Sequence, residues 1–263
     1  MITTLVSNPW GSDTEVFMDV WCRGWAMDRS TKAALQLRAV DVLRTLKETR
    51  TYEELSAETG LPAGDLNRYV NGHVLPGEDR ARRVVDDLGA ELLAAEVDAR
   101  IAVDEEGYVD NTGVVVDLSL LSLVPPVAAG LLDAEPPDVV LTAATDGITL
   151  AAAMARYFGA RCVYAKQSRE TAVEEFIEAR KRLASGIEID YFLPADAVGA
   201  GEGVLVVDDL VRSGETQELL LDVAGSAGGE VVGVFALIAV GDEGIDRARA
   251  STDAPVDALV HRE

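Results

Sequence analysis

The stretch Val204–Thr216, VLVVDDLVRSGET, constrains the fold more than any other part of the chain. Val204 to Val207 are four successive apolar residues and read as a buried strand. Asp208 and Asp209 stand at its carboxyl end, and a short loop with Ser213, Gly214 and Thr216 opens a helix over 215–227. Such a strand–loop–helix cradles a phosphate. The N–H groups of the loop and of the helix N-terminus point at the anion. The Ser213 and Thr216 hydroxyls complete its shell, and Gly214 lets the backbone approach closely. The adjacent carboxylates suit sugar hydroxyls and can support positive charge developing on a ribose ring.

The surrounding sequence has the rhythm such a motif needs. Strands are expected at Val114–Leu118, Val139–Thr142, Cys162–Ala165, Ile187–Phe192, Val204–Asp208, Val231–Ala239 and Val256–Val260. Helices are expected near 121–132, 147–158, 172–184 and 215–227. Apolar strand runs alternating with helices predict an α/β fold with a mostly parallel sheet and flanking helices over 101–263. Gly199–Gly203 is glycine-rich but precedes its strand, so it is a turn and not a dinucleotide fingerprint.

The N-terminal part is patterned as helices, giving a second, all-α unit over 27–100. Leu35, Ala39, Val42, Leu43 and Leu46 share one face. Thr51-Tyr52-Glu53-Glu54 is a capping box, Gly60 a turn residue, and Pro62 a helix starter. After the Pro76-Gly77 break a longer helix is expected over Glu78–Asp98. The spacing Leu55-Ser56, Gly60-Leu61, Leu66 brings two short helices across each other, the architecture of a helix-turn-helix whose second helix enters the major groove. From Leu35 to Pro76 the segment resembles the helix-turn-helix of the lambda-repressor-like family. Ala63, Gly64, Asn67 and Arg68 then fall on the recognition helix. Arg68 suits guanine and Asn67 adenine, while Arg50 and His73 are expected at phosphate. Gly64 weakens that helix by about 1 kcal/mol, and Asp65 sets a negative charge where phosphate would lie. A helical packing or dimerisation module without DNA is the competing reading.

VLVVDDLVRSGET resembles the 5-phosphoribosyl 1-pyrophosphate (PRPP) signature of type I phosphoribosyltransferases, in which a hydrophobic run and two acidic residues precede a TGGT-like loop. Gly214 and Thr216 match that loop, whereas Ser213 and Glu215 depart from it. The resemblance implies a PRPP shell of Asp208, Asp209, Val211, Arg212, Ser213, Gly214, Glu215 and Thr216, with Asp208 and Asp209 as the catalytic pair. It implies a pyrophosphate loop at Ala144, Thr145, Asp146 and Gly147, with a cis peptide near Ala144–Thr145, and Lys166 as its partner. It also implies a mobile loop over 167–190 carrying Arg169, Arg180, Lys181 and Arg182, and Mg accompanying PRPP as cofactor.

Composition narrows the field further. Asp+Glu outnumber Lys+Arg 46 to 23, a net charge of −23, and only Lys32, Lys47, Lys166 and Lys181 are lysines. An acidic, lysine-poor surface suits molar salt, so a salt-loving organism's cytoplasm is expected. The −23 is unevenly spread: residues 28–75 carry seven basic and seven acidic residues, whereas 101–263 carry 11 and 29. Cys22 and Cys162 form no CxxC, and His73 and His261 are the only histidines, which argues against a zinc ribbon, a disulfide framework, a thioredoxin-type motif, a His-rich metal site or a serine–histidine triad. No stretch approaches the roughly 20 apolar residues of a membrane span. Residues 1–26 hold all three tryptophans and lack a convincing signal-peptide pattern, and translation is expected to start at Met27.

Two functions follow. In one, the chain is a DNA-binding regulator, a homodimer on double-stranded DNA, whose second domain senses PRPP or a purine nucleotide; the order of domains resembles that of purine-operon repressors. In the other, it is an active purine phosphoribosyltransferase of adenine type that carries a helix-turn-helix domain.

Overall fold

The computed structural model describes residues 29–87, 89–105, 108–182 and 188–263; the expectations for 1–26 and for Met27 lie outside the described residues. Helices α1 (Arg29–Lys47), α2 (Tyr52–Thr59), α3 (Ala63–Val70), α4 (Glu78–Arg82) and α5 (Gly89–Ala99) form the N-terminal part. The apolar face of α1 is buried as its spacing requires. The capping box of α2 is closed: the Thr51 hydroxyl accepts the Glu54 N–H at 3.2 Å, and the Glu54 carboxylate accepts the Thr51 N–H at 2.7 Å. Those bonds to Thr51 hold the Glu54 carboxyl below its ordinary range. Gly60 ends α2 in the left-handed region at φ 64°.

The long helix expected over Glu78–Asp98 is broken. One π-helical turn, Arg83–Asp87, separates α4 from α5. An extra residue in the turn rotates the helix face. Here it lets the consecutive Val84 and Val85 both be buried while Leu93 and Val97 still face inward.

A small hairpin, β1 (Ala102–Val103) with β2 (Val109–Asp110), leads to α6 (Thr112–Val115), α7 (Leu118–Leu121) and α8 (Val124–Leu132). The strand expected at Val114–Leu118 is therefore helical. Its local caps outweigh the β preference of its valines: the Asn111 carbonyl accepts the N–H groups of Val114 and Val115, and the Asp117 side chain accepts that of Leu120.

The remaining elements are β3 (Val139–Ala143), α9 (Gly147–Phe158), β4 (Arg161–Ala165), β5 (Phe176–Arg182), β6 (Glu188–Pro194), β7 (Gly203–Val211), α10 (Glu215–Ser226), β8 (Glu230–Val240), α11 (Glu243–Ala250) and β9 (Val256–Arg262). Five strands form a parallel sheet in the order β4-β3-β7-β8-β9. The helix expected over 172–184 is instead β5, paired antiparallel with β6. Cross-strand pairs such as Arg180 with Asp190 override the local helix propensity of a Glu/Ala/Arg-rich run. Helix α11 was not anticipated.

Alternate residues of each strand feed the two faces. Val140, Leu205, Val207, Phe235 and Leu259 join one core, which is continuous with the buried residues of α1 to α5. Val139, Leu141, Val204, Val206 and Val234 join the other, beneath α10 and α11. No described helix is long and apolar enough to cross a membrane.

Candidate ligand crevice at the carboxyl edge of the sheet

The strand order places the site. From β3 the chain goes outward to β4, then returns to add β7, β8 and β9 on the opposite side. The carboxyl ends of β3 and β7 are neighbours whose loops diverge, and an open parallel sheet binds ligands at such a switch point. The β3 loop is Ala144–Asp146, and the β7 loop runs from Arg212 to Gly214. The Ala144–Thr145 peptide is cis, as expected. The Ala144 N–H donates to the Ala165 carbonyl at 2.9 Å, while Thr145 and Asp146 are exposed. Gly147 seats α9 against β7: a Cβ there would lie 2.3 Å from Thr142 Oγ1 and 3.1 Å from Asp208 Oδ1.

The two aspartates do not act as a matched pair. Successive strand residues point to opposite faces. Asp208, 7% exposed, turns to the α10 side, where Gln217 donates to its Oδ2 at 2.6 Å and the Asp209 N–H to its Oδ1 at 3.1 Å. Burial first, and then the Asp209 charge, push the Asp208 carboxyl well above the ordinary carboxylate range. Asp209, half-buried, turns to the other side and accepts the Asn111 amide at 2.6 Å. Asn111 and Gln217 were both missed from sequence, because a lone amide residue gives no signal of what it faces.

Val211 is buried, so only its main chain is open to a ligand. Arg212 is exposed, its guanidinium 5.5 Å from the centroid of the Tyr108 ring. Ser213 donates to Glu215 Oε2 at 3.1 Å, and Glu215 also pairs with Arg247 at 3.8 Å. Gly214 is left-handed at φ 73°, and its approach partner is the protein itself: a Cβ would lie 2.6 Å from the Gly244 carbonyl oxygen. Thr216 is half-buried in the first turn of α10.

Lys166 does not reach toward the β3 loop. It pairs with Glu170 and lies 5.1 Å from the Tyr164 ring centroid, because Glu170 offers a carboxylate four residues away. Arg169 pairs with Glu178 and lies over Phe176 and Phe192. Arg180 pairs with Asp190 across the hairpin. The side chains of Lys181 and Arg182 lie outside the described residues.

In the N-terminal part, Asn67, Arg68 and His73 are exposed, Ala63 is half-buried, and a Cβ at Gly64 would meet open space. Arg50 is not offered to solvent as expected. Its guanidinium bridges Glu58 and the buried Glu96, where the carboxylates within the helical part claim it. Asp65 is paired with Arg80 at 2.7 Å, so its charge is locally balanced. Arg80 also donates to the Tyr69 hydroxyl at 2.5 Å.

Comparison with known proteins fits this geometry. The phosphoribosyl transferase domain family matches residues 126–257, just over half of the chain. An orotate phosphoribosyltransferase of Caldanaerobacter subterraneus is 36% identical over 109 residues, covering 41% of this chain and 48% of that protein. The purine biosynthesis transcriptional repressor PurR of Bacillus subtilis is 28% identical over 141 residues, covering 53% and 49%. The chain thus spans about half the length of these relatives. The crystal structure of adenine phosphoribosyltransferase from Thermoanaerobacter pseudethanolicus superposes with a TM-score of 0.56 at 20% identity, over 64% of this chain and 99% of that one.

Proposed function

Because the chain belongs to the phosphoribosyl transferase domain family, we propose that it is a DNA-binding transcriptional regulator whose crevice senses PRPP or a purine nucleotide. The observation that carries this reading is the joining of two parts. A helical unit with an exposed Asn67 and Arg68 on its third helix shares a core with the sheet that forms the crevice. The likeness to the Bacillus subtilis repressor supports it. So does Glu215, a carboxylate standing in the loop where a phosphate would be held.

Residues 27–100 serve as a lambda-repressor-like helix-turn-helix domain and 101–263 as the effector domain. Arg68 and Asn67 read base edges, with Ala63, Gly64 and His73 around them. A homodimer sets two third helices about one DNA turn apart. In the crevice, the N–H groups of 212–216 hold the ribose phosphate, Asp209 meets the ribose hydroxyls, and Thr145–Gly147 wraps the pyrophosphate. Lys166 joins it by exchanging its Glu170 partner. Mg would accompany PRPP, and the exposed Asp146 and half-buried Asp209 are the carboxylates of the two crevice strands and loops that could help hold it. The charge of −23 suits a salt-rich cytoplasm.

The test is fluorescence-anisotropy binding to the protein's own upstream DNA in molar KCl, with and without PRPP and Mg. Specific binding that shifts with PRPP is expected, and Arg68→Ala should abolish it while leaving PRPP binding intact. Absence of specific binding, together with turnover of a purine base, would replace this reading with the transferase one.

A further inference from the structure

We propose that Asn111 is the positioning residue through which occupation of the crevice is felt in the helical part. The proposal rests on the crevice binding PRPP, as above. Asn111 is buried at 9% exposure, and its amide donates to Asp209 Oδ2 at 2.6 Å, a polar tie between the segment before α8 and the β7 motif. Its carbonyl accepts the N–H groups of Val114 and Val115, at 2.8 and 3.1 Å, and so starts α6. The helix that follows the other crevice loop grips the same short helix: Thr149, in the first turn of α9, donates its hydroxyl to the Val115 carbonyl at 2.9 Å. The end of β7 and the first turn of α9 therefore hold one four-residue helix.

On its far side, that helix leans on the end of the helical part. A Cβ at Gly113 would lie 3.2 Å from the Arg100 carbonyl oxygen, and the Arg100 guanidinium lies 3.9 Å from the Asp117 carboxylate that caps α7. Arg100 also binds the Glu96 carboxylate and, at 2.9 Å, the Glu96 carbonyl. Glu96 is 2% exposed and holds Arg50 with one oxygen, which also accepts the Thr49 hydroxyl at 3.0 Å. Thr49 and Arg50 directly precede Thr51, the cap of α2. Asp209 is thus linked to the start of α2 by an unbroken series of named contacts.

The switch is local and has two arrangements. Without ligand, the Asp209 carboxylate is claimed by Asn111. A ribose hydroxyl at Asp209 competes for the same oxygen, Asn111 lets go, and α6 shifts against Arg100. A buried carboxylate shared by two guanidiniums transmits such a shift, because the Glu96 charge cannot be left unpaired at low cost. Coupling requires an element whose state both sites bias, and the Asn111 side chain is that element.

The experiment is hydrogen–deuterium exchange of the full chain with and without saturating PRPP and Mg, with PRPP binding followed by calorimetry on the same samples. In the wild type, amides over 51–70 should change protection several-fold when PRPP binds. Asn111→Ala and, independently, Arg100→Lys should remove that change; lysine cannot span Glu96 and Asp117 together as the guanidinium does. Arg161→Ala, at the opposite edge of the sheet, should keep it. PRPP binding without altered exchange over 51–70, or a change that persists in either variant, would overturn the inference and leave the crevice assignment standing. Failure of the wild type to bind PRPP would overturn both. Should Asn111→Ala fold poorly, Arg100→Lys carries the same test alone.

Discussion

Replacing Asp208 by Asn should flatten the pH dependence of stability. The Asp208 carboxyl is buried, tied to Gln217 at 2.6 Å and to the Asp209 N–H at 3.1 Å, with its ionisation pushed well upward by burial and by Asp209. The native protein therefore keeps a proton that the unfolded chain has lost. Stability contributed this way is present at low pH and falls as pH rises from the ordinary carboxylate range to the raised native value. One proton held over that interval lowers stability by up to about 1.4 kcal/mol per pH unit, a tenfold change in the folding constant. Asparagine has no proton to lose, and its carbonyl oxygen still accepts from Gln217. Denaturant unfolding of both proteins from about pH 5 to about pH 8, in molar KCl to screen the −23 charge, gives two curves whose difference isolates this group. The wild-type curve should fall relative to the variant and become parallel once Asp208 ionises. Curves parallel throughout would refute the assignment of Asp208 as a proton-holding buried carboxyl.

Three further substitutions probe the frame of the crevice and of the helical part. Gly214→Ala forces a left-handed alanine, costing about 1–2 kcal/mol. It also drives a Cβ to 2.6 Å from the Gly244 carbonyl oxygen, so thermal unfolding should show a larger loss than the backbone conformation alone explains. Gly147→Ala overpacks Thr142 and Asp208 and should cost about 1–3 kcal/mol by denaturant unfolding, with weakened PRPP binding by calorimetry. Thr51→Ala opens the capping box of α2 and should cost about 1 kcal/mol, read as faster amide exchange over 52–55 with the sheet's exchange unchanged.

Where local physics acts alone, the sequence was readable. The face of α1, the Thr51 capping box, Gly60 and the strand–loop–helix around Asp208 each rest on neighbours within a few residues, and each forms as its spacing requires. Errors arose where distant partners decide. Residues 176–182 have helical propensity but pair with 188–194, and three valines at 114–116 give way to caps from Asn111 and Asp117. The cationic residues expected at ligand or phosphate are instead paired within the chain, for one shared reason. In a chain with twice as many acidic as basic residues, a guanidinium or ammonium finds a carboxylate nearby, as Arg50, Lys166, Arg169 and Arg180 do.

That abundance of carboxylates also shapes the phosphate loop. A glycine at 215 would leave the N–H groups at the start of α10 open to an anion; Glu215 places a carboxylate there, and Ser213 and Arg247 accommodate it. The loop's own geometry is then secured without ligand, since Gly214 is locked against Gly244 by packing. A ligand phosphate has to share the loop with that negative charge, and Arg247 is the cation placed to receive the displaced carboxylate. For a sensor such competition sets a threshold, because weaker binding keeps the crevice empty until its ligand is abundant. The departure from the family loop at Glu215 thus accords with the proposed sensing role without any appeal to the helical part.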